Sequence, residues 1–258
     1  MSDILLRAEA LTMRFGGLVA LDALNLEVHA KEVLGLLGPN GSGKTTFFNV
    51  ATGLYAASAG KVSFEGRDIS GQSAQAVYRS GITRTFQRSR LSLPLSVFDN
   101  VVIGNYRKLN QGVWFNLFRR AGVRAEYDAM VAQTRALLHT FSPALADKMF
   151  DAAGSLSMID RRRVEICRAL ISEPRLLLLD EPSAGMTHDE TAELMDDIMQ
   201  VRDKLAPFSI VIIEHEMNVI QRITQRCVVL NYGKKIADGD YAHIVADPEV
   251  QVAYLGQE

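Results

Sequence analysis

The stretch Gly38-Pro39-Asn40-Gly41-Ser42-Gly43-Lys44-Thr45-Thr46 carries the strongest chemical signal in this chain, because it matches the pattern G-x-x-x-x-G-K-[ST]. Gly38, Gly41 and Gly43 can take backbone conformations closed to residues with a Cβ, so successive N–H groups can turn inward around a phosphate. Lys44 adds a point charge for the outer phosphates, and a helix starting here would offer its positive N-terminal end. Thr45 supplies a hydroxyl able to ligate Mg²⁺ between the β- and γ-phosphates. The chemistry this implies is the binding of a nucleoside triphosphate.

A second set of candidates lies far downstream. Asp180 and Glu181 follow four consecutive leucines bounded by Pro174 and Pro182. An aspartate at the end of such a strand is placed to hold Mg²⁺, and the next carboxylate can reach a water aligned with the γ-phosphate and act as general base. His215 ends the following apolar run, where an imidazole could contact the γ-phosphate or the attacking water. Gln87 could sense Mg²⁺ or the γ-phosphate. Phe15, in the turn Arg14-Phe15-Gly16-Gly17, offers a flat face for a base.

These residues need a scaffold, and the hydrophobic pattern supplies one. Val33-Leu34-Gly35-Leu36-Leu37 reads as a buried strand and Phe47-Phe48-Asn49-Val50 as the start of a packed helix, which gives strand, glycine loop, helix. Residues 5–13 and 24–28 alternate as strands of a half-exposed sheet, 61–64 continue it, and 74–80 look helical. Residues 81–87 read as a short β-branched strand ending in the Gln87 amide. From 88 to about 154 the pattern is helical, over 96–103, 124–139 and 143–149, with an aromatic and basic segment at 111–120. That segment suits either a loop anchor or an apolar patch for a partner. Further on, helices are expected at 161–171 and 189–204, strands at 176–179 and 209–214, a hairpin at 227–237 and small helices over 241–255. Strands alternating with helices around such a loop imply an α/β fold with a doubly wound parallel sheet.

Composition narrows the class. A hydrophobic share of 48% in 258 residues is ample for a core, and a formal charge of -2 gives no footprint for nucleic acid. Cys167 and Cys227 lack metal or redox spacing and read as buried free thiols of a reducing compartment. No apolar run approaches the roughly 20 residues a membrane span needs, so a membrane role must come through a partner.

In their order, Phe15, the glycine loop, Gln87, Asp180-Glu181 and His215 resemble the ATP-binding subunits of ABC transporters. More narrowly, Arg14-Phe15-Gly16-Gly17-Leu18, Gly81-Ile82-Thr83-Arg84-Thr85-Phe86-Gln87 and Ala253-Tyr254-Leu255-Gly256 look like subunits serving branched-chain amino-acid uptake. The resemblance implies a P-loop NTPase (RecA-like) core over 1–87 and 155–258, with an antiparallel β region, and a helical subdomain over 88–154 that contacts a membrane partner. It implies ATP and Mg²⁺ as ligands, Phe15 on adenine, Thr45, Gln87 and Asp180 at the metal, Glu181 as base and His215 as switch. It also implies a head-to-tail dimer of two such subunits at the cytoplasmic face of the inner membrane, serving two permease subunits and, indirectly, a periplasmic solute-binding protein.

The chain departs from the family at its signature, Leu-Ser-Gly-Gly-Gln or Leu-Ser-Tyr-Gly-Gln, where it reads Leu156-Ser157-Met158-Ile159-Asp160. Ser157 can still reach a phosphate oxygen. Ile159 replaces a glycine that permits close backbone approach, and Asp160 brings negative charge toward a triphosphate. The expectation is a heterodimer with one working and one impaired site. A nucleotide-dependent switch with little hydrolysis, or an ATPase for export or envelope assembly, are the alternatives.

Overall fold

In a computed structural model, residues 4–87, 90–106, 120–205 and 207–255 are described. Of the aromatic and basic segment at 111–120, all but residue 120 lies outside them. In chain order the strands are β1 (Ile4–Phe15), β2 (Leu18–His29), β3 (Val33–Leu37), β4 (Ala59–Phe64), β5 (Arg67–Asp68), β6 (Ile82–Arg84), β7 (Leu176–Asp180), β8 (Ser209–Ile213), β9 (Arg226–Asn231) and β10 (Lys234–Gly239). The helices are α1 (Lys44–Ala51), α2 (Ala74–Ser80), α3 (Val97–Val102), α4 (Arg120–Phe141), α5 (Pro143–Asp147), α6 (Met158–Leu170), α7 (His188–Lys204), α8 (Met217–Ile223), α9 (Tyr241–Ala246) and α10 (Pro248–Leu255). No helix among the described residues is long and apolar enough to cross a membrane.

Contacts divide the chain into two units, the first comprising 1–84, 175–182 and 207–258. It holds two sheets. One is antiparallel, in the order β2-β1-β4-β5, and the other runs β10-β9-β3-β8-β7-β6. In the second, β3 pairs parallel with β8 and β9, and β7 with β8 and β6, while β10 closes an antiparallel hairpin on β9. Every residue of β3, β7 and β8 is buried, as strands covered on both faces must be. Phe47 and Phe48 of α1 join Leu34, Leu36, Leu178 and Val211 in one core. The expected strand over 81–87 is shorter: only Ile82–Arg84 pair with β7, at the sheet's edge, and the backbone leaves the ladder before Gln87.

The second unit comprises 85–174 and 183–206 and is helical. It is wider than the expected 88–154, because α6 and α7 pack with α3 and α4. Ser96 caps α3 and Thr187 caps α7, each in a reciprocal capping box with Asp99 or Glu190.

Cys167 and Cys227 are both free and buried. Burial pushes both thiols above their ordinary pKa, against the Arg163 charge at Cys167 and the Thr224 hydroxyl at Cys227. Alkylation at mildly alkaline pH is therefore expected to modify neither in the folded chain and both in urea, as intact-mass measurement would read.

Candidate functional site

The carboxyl ends of β3, β8 and β7 are neighbours in one sheet, and each runs into a segment singled out for chemistry. β3 runs into the glycine loop, β8 into Glu214-His215, and β7 ends in Asp180 before Glu181. Parallel register, with Asp180 opposite Ile213, brings the last two together. Open α/β sheets bind ligands at this edge.

The loop is built for an anion. Gly38 has φ +137° and a Cβ there would lie 2.1 Å from the Leu230 carbonyl oxygen; Gly43 has φ +108° and would meet the Ala20 oxygen at 2.6 Å. Neither position tolerates a side chain. Gly43 is the N-cap of α1 and brings no side-chain cap, and no acidic residue stands in the first turn. The first-turn N–H groups thus lack intrahelical partners, and the positive helix end lacks a counter-charge. Ser42 Oγ is buried without a hydrogen-bond partner.

Lys44, also buried, donates from Nζ to the Gly38 and Pro39 carbonyls at 2.6 and 2.9 Å. An ammonium has three N–H groups, which leaves one for a phosphate. Burial lowers the lysine pKa, and the Glu181 and Asp180 carboxylates pull against that shift.

A cleft of about 350 Å³ opens here, walled by Phe15, Leu18, residues 40–46, Glu181 and Tyr232. Phe15 is 42% exposed, and its ring meets Tyr55 edge-on with centroids 5.5 Å apart, which braces it and leaves surface for a base. Tyr232, 82% exposed at φ +45°, stands in the turn of the 227–237 hairpin. The one signal for it is a bulky aromatic placed before Gly233 in that turn.

Glu181 also has positive φ, +47°, held by its N–H bond to the Ile213 carbonyl at 2.9 Å. Strained backbone of this kind persists where surrounding bonds over-determine it. His215 Nε2 lies 2.9 Å from Glu181 Oε1. An ionised carboxylate can only accept, so with Glu181 ionised this contact requires the proton on Nε2. The imidazole expected to meet the γ-phosphate or the water thus engages the neighbouring carboxylate.

Asp180 is buried, and its Oδ2 accepts from Arg84 Nη2 at 2.5 Å. Arg84 Nη1 donates to Asn49 Oδ1 on α1 at 2.6 Å, and the guanidinium lies over the Phe48 ring, 5.3 Å from its centroid. Sequence reasoning missed Arg84; its sign was a charge inside the β-branched run Ile82-Thr83-Arg84-Thr85. No cluster of three His, Cys, Asp or Glu among the described residues could hold a metal alone. Mg²⁺ seldom uses such cages, binding through one or two side chains plus substrate phosphates, and the exposed Thr45 with the single carboxylate of Asp180 fits that donor set.

Gln87 and Ser157 belong to the second unit. The Gln87 carbonyl accepts from Arg162 Nη2 at 2.8 Å, and its side chain is exposed. Ser157 is the N-cap of α6, its Oγ accepting from the Asp160 N–H at 3.2 Å. Ile159 is buried. Asp160 does not present a bare charge: its Oδ1 lies 3.0 Å from Arg163 Nη1, one turn along α6. Arg163 also binds Glu193 and Asp197, each at 2.6 Å. Burial works against the Arg163 charge, yet these three carboxylates outweigh it and hold its pKa above the usual arginine value.

Residues 21–184 match the family described as ABC transporter, and residues 234–258 match branched-chain amino acid ATP-binding cassette transporter. The chain is 37% identical over 258 residues to the high-affinity branched-chain amino acid transport ATP-binding protein BraF of Pseudomonas aeruginosa, covering all of both chains. It is 35% identical over 257 residues to the corresponding protein LivG of Escherichia coli, again at full coverage of each. Crystal structures of a nucleotide-free ATP-binding cassette and of a cassette in its ADP conformation both superpose with TM-score 0.84 at 29% identity, covering 98% of this chain and 100% and 99% of theirs. The chain belongs to the ABC transporter family, as one of its P-loop ATPase subunits.

Proposed function

We propose that this chain hydrolyses ATP to drive import of branched-chain or related hydrophobic amino acids, at the cytoplasmic face of the membrane and through permease partners. The observation that carries the hydrolytic half is Glu181, which lines the cleft that also holds Lys44 and lies 2.9 Å from His215 Nε2. The solute half is supported by the names of the relatives and by the match at residues 234–258.

In this reading the base rests on Phe15 and the phosphates enter the loop, where Lys44 and the first-turn amides of α1 bind them. Glu181, oriented by His215, takes the proton from a water attacking the γ-phosphorus, as the bond to the β–γ bridging oxygen breaks and ADP carries that oxygen away. The rate gain comes from positioning and preset charge rather than from a covalent intermediate. Mg²⁺ would be held by Thr45 and Asp180, and would supply charge neutralisation on the phosphates. Segment 88–154 is proposed to contact the permease.

We further propose a heterodimer. Ile159 in place of a signature glycine supports an impaired site in the partner's loop, whereas the charge of Asp160 adds little because Arg163 compensates it. The chain's own site would be completed by the partner's Ser157 equivalent.

Reconstitution with its permeases in proteoliposomes tests the function. ATP-dependent uptake of labelled leucine is expected, together with a roughly 10- to 100-fold loss of ATP affinity on Lys44→Ala, the worth of a charge-assisted hydrogen bond. Uptake indifferent to Lys44→Ala would refute the reading.

A further inference from the structure

The Ala253-Tyr254-Leu255 segment stands out in the sequence, yet neither the cleft nor the reaction gives it a task. The geometry does. Tyr254, near the end of α10, accepts a hydrogen bond on its phenolic oxygen from the Gly38 N–H at 2.9 Å, from a residue 216 positions away. Gly38 is where β3 stops pairing, at Leu37, and the phosphate loop begins.

Both backbone groups of Gly38 are therefore committed: its N–H to Tyr254, its C=O to Lys44 Nζ at 2.6 Å. Its φ of +137° and the Leu230 carbonyl oxygen, 2.1 Å from where a Cβ would lie, confine the position to glycine. The helix that brings the phenol is itself anchored. Asp247 Oδ1 accepts from the Glu249 N–H at 2.8 Å at its start, and Val250 is buried. Burial also raises the phenol pKa, so the hydroxyl stays protonated across the neutral range.

We propose that Tyr254 is a positioning residue for ATP binding: the C-terminal helix holds the entry of the phosphate loop through Gly38, and so presets the loop and the Lys44 ammonium for the triphosphate. A tyrosine serving only to dock α10 would not need to meet the loop's first amide. A loop preset by a distant helix spends less of its binding energy on ordering itself when the ligand arrives. The inference rests on the reading of the cleft as an ATP site.

The test compares Tyr254→Phe, which removes one oxygen, with Val250→Ala, which loosens the same helix without touching the loop. Affinity of the purified full chain for methylanthraniloyl-ATP is followed by fluorescence, and thermal unfolding is measured alongside. Tyr254→Phe is expected to weaken binding by roughly five- to thirtyfold, because it leaves a buried N–H unsatisfied in the loop. Val250→Ala is expected to lower the melting temperature while binding as the wild type does. Wild-type affinity in Tyr254→Phe, or equal losses of affinity in both variants, overturns the proposal alone. A wild-type chain that binds no nucleotide overturns the ATP reading and this inference with it.

Discussion

Changing Glu181 to glutamine is expected to lower ATP turnover by roughly 10²–10⁴-fold, the range general-base catalysis contributes, while ATP binding persists. Glutamine keeps the shape and an oxygen that can accept from His215 Nε2, which lies 2.9 Å from Glu181 Oε1 in the native chain. It lacks the basicity to take a proton from water. Lys44, the α1 amides and Phe15 are untouched, so the variant should retain bound ATP instead of releasing phosphate. Phosphate release measured beside nucleotide retention separates the two. Undiminished turnover in Glu181→Gln would remove this residue as the base. The same assay bears on pairing, since a chain assembled only with itself that turns over ATP as fast as the full transporter contradicts the asymmetric heterodimer.

The second large effect is on stability. Arg84→Met is expected to cost about 3–5 kcal/mol, because breaking a buried ion pair strips a buried carboxylate of its hydrogen-bonded counter-charge. Asp180 would keep a buried carboxylate without its guanidinium, Asn49 would lose a donor, and Phe48 would lose the cation over its ring. A loss of this size is a large part of the roughly 5–15 kcal/mol by which domains are stable. Arg84→Lys should lose less than methionine and more than nothing, since an ammonium keeps the charge but lacks the fork that spans Asn49 and Asp180. Urea unfolding followed by circular dichroism reads the order. The double variant Arg84→Met with Asp180→Asn should recover part of the loss, and if it does not, the stranded charge is not the cause.

Much of this molecule is written in short windows of sequence. The glycine loop was legible because phosphate binding there uses backbone amides and one lysine within nine successive positions, 38–46. Leu176 to Leu179 revealed a strand covered on both faces, and the 3.6-residue pattern revealed α4, α6 and α7 to within a few residues. The Asp160–Arg163 pair is also legible, since residues three apart share a helix face.

Local pattern alone determined that the chain carries a phosphate loop on an α/β core, and which carboxylates and imidazole follow buried strands. Tertiary structure decided which of those groups meet. That His215 meets Glu181, that Arg84 ties Asp180 to α1, and that Tyr254 reaches Gly38 all depend on the order of strands in the sheet and the docking of α10. Partners 34, 96 and 216 residues apart leave no periodic trace along the chain, because side-chain contact across a sheet is set by register and strand neighbours rather than by spacing in sequence.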